Sequence, residues 1–167
     1  MRLSIVAWLY FTGVAIAQQA PARPELKALE RYLGTWTYDG ADKTPGGGPV
    51  RCESTRQWIA AGNFVESRRH CSTPRGELQQ LEVYGYDAAE RLYRYWGFSG
   101  PMPSIYTTPA IEDAPIRWSS TAFPGRFRCS ETFSPRWSES TANCEMSTDS
   151  GSTWTVISEG KSKRTSP

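Results

Sequence analysis

The chain has 167 residues, 22% of them charged, a formal net charge of +2, and basic residues that are scattered except for Lys161, Lys163 and Arg164 near the end. No basic stripe or recognisable module offers itself to nucleic acid, which excludes that class of partner, and the basic end reads as a solvated terminus. Aromatic residues make up 13% of the chain, and Gly, Pro, Ser and Thr recur throughout, which favours strands and turns over helices.

Residues 1–17 read as a signal peptide. Arg2 is the first charge, Leu3 to Ile16 is apolar, and Ala15, Ile16 and Ala17 supply an A-x-A cleavage site. The apolar run is shorter than the roughly 20 residues a helix needs to cross a bilayer, so no membrane span is expected in the mature chain. Residues 18–167 then form one domain of ordinary size.

Pro24 followed by ELKALERYL places Leu26, Leu29 and Leu33 at helical spacing, with Pro suited to the first turn. This is one short N-terminal helix. Gly34 ends it, and TWTYDG alternates like a first strand, while Thr44 to Pro49 is a loop by composition.

Two hairpins follow from the cysteines. In the segment from Val50 to Ser72, a fold-back centred between Ala61 and Gly62 puts Cys52 opposite Cys71. In the segment from Phe127 to Ser147, a turn centred between Arg136 and Trp137 puts Cys129 opposite Cys144. Directly opposed residues of an antiparallel ladder have Cα atoms about 4.5 to 5.5 Å apart, within reach of a disulfide. Four cysteines in an exported chain are therefore expected to pair as Cys52–Cys71 and Cys129–Cys144, each closing a loop worth about 3 kcal/mol. The second register gathers Phe127, Cys129, Phe133, Cys144 and Met146 on one apolar face. The first assigns no inner face, because its cysteine side holds Trp58 and Val65 but also Arg56 and Arg69, and its other side holds Ile59 and Phe64 with Glu53, Glu66 and Arg68.

Leu81 to Gly100 contains two alternating runs joined by Asp87 to Arg91, a third hairpin presenting Tyr84, Tyr86, Tyr93 and Tyr95 or, on the other side, Trp96 and Phe98. Further runs lie at Ile105 to Thr108, Ile116 to Ala122 and Trp154 to Glu159. The total is about ten strands, an all-β pattern that suits a sandwich or a closed barrel.

At LKALERYLGTWTYDG the chain resembles the opening of calycin-like proteins, the lipocalins and their relatives, in which a short helix precedes a Gly-x-Trp on the first strand. It is also similar to a group of uncharacterised bacterial exported proteins of lipocalin-like type, through Gly85-Tyr86-Asp87, the aromatic strand Leu92 to Trp96 and the basic last strand. The resemblance implies an antiparallel up-and-down barrel with the helix over one end, and an address in the periplasm or outside the cell. It also implies structural roles for Gly34 and Trp36, with Lys163 or Arg164 stacked over the indole.

His70 is the only histidine and lies beside a disulfide-bonded cysteine, so neither a Cys–His pair nor a metal or haem site is expected. Glu53, Glu66, Glu82 and Asp87 read as solvated strand charges. No catalytic motif is present, and no cofactor is implied. A barrel of about ten strands is wider than side chains fill comfortably, which points to a small apolar ligand held among Trp36, Trp58, Trp96, Phe98, Phe127 and Phe133. The alternative is an envelope protein-interaction or structural module whose contact surface is the stretch from Gly97 to Pro115.

Overall fold

Residues 23–100, 104–111, 115–120, 126–147 and 153–166 are described by the structure, a computed structural model. The segment read as a signal peptide lies outside them. Alternating side chains along the described chain build ten strands: β1 (Gly34–Asp42), β2 (Gly48–Ile59), β3 (Phe64–Thr73), β4 (Gly76–Asp87), β5 (Leu92–Phe98), β6 (Ser104–Thr108), β7 (Ile116–Ser120), β8 (Arg126–Phe133), β9 (Glu139–Ser147) and β10 (Thr155–Ser166). Each pairs antiparallel with its neighbours in sequence, and β10 returns to β1 to close the barrel. Closure removes the unpaired edges that an open sheet of this size would expose. The basic end is not a free terminus, since Lys161, Lys163 and Arg164 are ladder residues of β10 opposite β1.

The registers of the two cysteine hairpins place Cys52 against Cys71 and Cys129 against Cys144. Both pairs are bonded, at Cα separations of 4.0 and 4.1 Å. Cys52 and Cys71 are buried. The cysteine face of the first hairpin is therefore the inner one, and it carries Arg56 and Arg69 into the barrel.

Helix α1 (Pro24–Lys27) continues as a tighter 3-10 turn over Ala28–Tyr32. Leu33 falls outside the helix in extended conformation, and Gly34 follows at φ 98°, a left-handed geometry that suits only glycine. That sharp exit folds the helix across the end of the barrel where β1 begins. Leu29, Tyr32 and Val65 are fully enclosed there, with Leu26 at 5% exposure. Trp36 donates from its indole nitrogen to the carbonyls of Tyr32 and Leu33 at 3.1 and 3.0 Å. The Arg164 guanidinium lies 4.8 Å from the centre of its ring and donates to the Arg31 carbonyl at 2.6 Å, whereas Lys163 is exposed on the outer wall. One end of the barrel is thus plugged. No helix among the described residues is long and apolar enough to cross a membrane.

Candidate functional site

The opposite end, between the β1–β2 loop and the β3–β4 turn, leads into a cavity of about 580 Å³ that occupies the lumen. Arg75 braces this mouth, donating to Asp42, Thr44 and the Pro45 carbonyl at 2.9, 2.9 and 2.7 Å. Below the mouth the walls are Tyr38, Val50, Leu78, Ala142 and all four cysteines, and deeper in stand Tyr84, Tyr95, Tyr106 and Trp118. Tyr38 lies flat against the wall because Gly40 and Gly160 are paired beside it. A Cβ on either would come within 2.4 Å of its ring or hydroxyl. Those two glycines keep the side chain folded aside and the upper lumen open.

The floor is polar. Arg56 and Arg69 reach in from β2 and β3, Glu82 from β4 and Glu131 from β8. Arg69 pairs with Glu82 at 3.0 Å, and Glu82, only 1% exposed, also accepts from the hydroxyls of Tyr95 and Tyr84 at 3.1 and 3.2 Å. Burial alone would lift the pKa of Glu82, but Arg69 and Arg56 outweigh it and hold the carboxyl below its usual value. Glu131 forms no direct ion pair among the described residues. It accepts from Tyr32 at 3.1 Å and Ser140 at 3.2 Å, and burial raises its pKa against the pull of Arg56. Tyr32 stacks on Tyr84 at 4.6 Å, so the two carboxylates are joined through a pair of rings. Burial also raises the pKa values of Tyr32, Tyr84 and Tyr95, which keeps these hydroxyls protonated as donors.

None of the six aromatics chosen from the sequence lines this cavity. Trp96 and Phe98 sit on the outer wall, where Trp96 packs edge-on against Phe64 and Phe98 is 41% exposed. Trp36, Trp58 and Phe133 belong to the plugged end, and Phe127 shares the inner face of β8 nearer the mouth, opposite Met146. Glu82 is not a solvated strand charge but the most enclosed carboxylate of the floor. His70 is exposed and 3.1 Å from Glu77, outside the lumen. The residues that do form the site were visible only as charges on the cysteine face of the first hairpin and as tyrosines alternating in the third.

Fold and lumen together define a calycin-like barrel, closed at one end and hollow. No family model matches the chain, and no curated protein matches it by sequence. Among solved structures, the S-type phycobiliprotein lyase CPES from Guillardia theta superimposes with a TM-score of 0.61 at 12% identity, over 83% of this chain and 90% of that one. Rv2717c from M. tuberculosis superimposes with a TM-score of 0.43 at 16% identity, over 85% and 98%. The first likeness establishes the fold; the second adds nothing to it.

Proposed function

We propose that this is an exported binding protein that holds one small molecule, largely apolar in its contacts, inside the barrel. The observation that carries the reading is the cavity itself: about 580 Å³, open at one end and walled by tyrosines, Trp118 and the two disulfides. That volume lies in the range of small-molecule sites, roughly 300 to 1,000 Å³. Disulfides in the wall agree with an oxidising compartment, and so with export. A second reading rests on the outer wall, where Phe98 and Ile105, 41% and 40% exposed, flank Trp96 and offer an apolar surface to a protein partner.

The two readings separate experimentally. Native mass spectrometry of the gently purified protein, together with titration of an environment-sensitive apolar dye, should show a co-purified mass or dye binding that quenches Trp118. Substituting Leu78→Trp in the upper lumen should abolish it, while Phe98→Ser should not. Dye binding that survives Leu78→Trp and disappears with Phe98→Ser would move the site to the outer wall.

A further inference from the structure

One strip of the lumen wall is almost bare. Gly40 on β1, Gly160 on β10 and Ala142 on β9 are successive partners in the ladders, so three neighbouring strands place nothing larger than a methyl group there. Ser158 and Ser162, which flank Gly160 on the inner face of β10, are small as well. A glycine inside a strand weakens it and marks a close approach of some other group to the backbone. Here that group is the Tyr38 ring, which lies across both glycines and donates from its hydroxyl to the Glu159 carbonyl at 3.1 Å. With one face against the wall, the ring turns its other face to the cavity it lines. The other four rings of the lumen have rings for neighbours: Tyr84 and Tyr95 meet at 5.1 Å, Tyr95 and Tyr106 at 5.5 Å, and Trp118 lies 6.2 Å from Tyr84. Among the described residues no ring is packed on Tyr38. Shielding of bare backbone explains why the tyrosine folds aside, but leaves its open face and the adjoining Ala142 without a purpose.

We propose that the bare strip and the open face of Tyr38 form a slot for a flat, conjugated ring system, which stacks on Tyr38 in the upper lumen. The inference rests on the lumenal reading above and specifies the shape of its ligand. A flat ring meets a bare wall and a ring face over its whole area, whereas a puckered body touches them only at its projecting hydrogens. Offset stacking of two π-systems adds attraction beyond the area removed from water, and a saturated body gains none of it. Tyr106 and Tyr95 stand on β6 and β5, across the closed ring of strands from β1 and β10, so the wall facing the slot is aromatic too.

Calorimetric titration of the intact protein with 2-naphthol and with decahydro-2-naphthol tests the proposal. The two share a carbon skeleton and a hydroxyl, but the first is flat and the second puckered, with the larger apolar surface. The flat probe should bind about fivefold more tightly, the reverse of what apolar area alone dictates. Tyr38→Leu should remove that preference by weakening 2-naphthol alone. Gly160→Ala should weaken both probes, because its Cβ would stand 2.4 Å from Cζ of Tyr38 and drive the ring into the lumen. Adding Tyr38→Leu to that variant removes the clash and should restore the puckered probe. Equal or tighter binding of the puckered probe to the wild type would overturn the slot while leaving the lumenal site standing. A preference that survives Tyr38→Leu, or full-strength binding of both probes to Gly160→Ala, would move the ligand away from this wall. Binding of neither probe would remove the lumenal reading and this inference together.

Discussion

Glu82 and Glu131 face one lumen from β4 and β8, and their surroundings drive them in opposite directions. The pKa of Glu82 is depressed by Arg69 and Arg56, so the stability it contributes is present above the ordinary glutamate range and is lost as pH falls through its lowered folded value. The pKa of Glu131 is raised, so its contribution is complete below the ordinary range and is lost as pH rises through its elevated folded value. At neutral pH, Glu82→Gln should therefore lower stability by about 3 kcal/mol, because it strands the Arg69 guanidinium in a poorly solvated site. Glu131→Gln should raise the thermal midpoint at neutral pH, and the gain should vanish in acid. Unfolding curves of the two variants across pH 3–8 check both signs; a Glu131→Gln protein less stable than wild type at neutral pH would contradict the assignment.

At the scale of elements, hairpins were legible wherever two residue types had to meet across a bend. Cysteines at fixed distances from Ala61–Gly62 and Arg136–Trp137 set registers that the ladders of β2–β3 and β8–β9 follow residue for residue. The inner face of β2–β3 was not legible, and the reason is physical. Alternation identifies an inner face only when that face is apolar, and here it carries Arg56, Ser67 and Arg69 around a hollow lumen with a polar floor instead of a packed core. The aromatics selected by size and apolarity lie at the plugged end, on the outer wall or, for Phe127, on the inner face nearer the mouth, whereas the lumen is walled by Trp118 and by tyrosines whose hydroxyls suit a wall facing buried carboxylates. The first bend also carries strain. Ala60 and Ala61 both sit at positive φ, 49° and 53°, where a side chain is disfavoured. Ala61→Gly should stabilise the hairpin by about 1 kcal/mol, raising the thermal midpoint by about 3 °C in calorimetry; an unchanged or lower midpoint would show that the bend is relaxed.

Over the whole molecule the two ends are built for different tasks. The plugged end concentrates the tightest packing: Leu29 and Tyr32 from the helical segment, Val65 from β3 and Trp36 clamped by Arg164. The mouth is held by polar contacts from one arginine, Arg75, between two loops. Between them the barrel is pinned by Cys52–Cys71 across β2–β3 and by Cys129–Cys144 across β8–β9, while among the described residues β6 meets β7 through the register pair Thr107–Ser119. Counting strand-length runs left a sandwich and a closed barrel both open, and the expectation of a closed up-and-down barrel came from the likeness to calycin openings, because the β1–β10 ladder joins residues more than a hundred positions apart and leaves no local mark.

Both crosslinks turn their sulfurs inward, into the same chamber that a ligand would fill. A reductant entering from solution must then pass the mouth that a guest uses, and a guest already seated stands in its way. The kinetics of thiol release under a bulky phosphine thereby become a gauge of occupancy: the filled barrel should surrender its disulfides severalfold more slowly than the empty one, read by thiol labelling over time. Equal rates with and without a saturating guest would mean that the guest sits elsewhere.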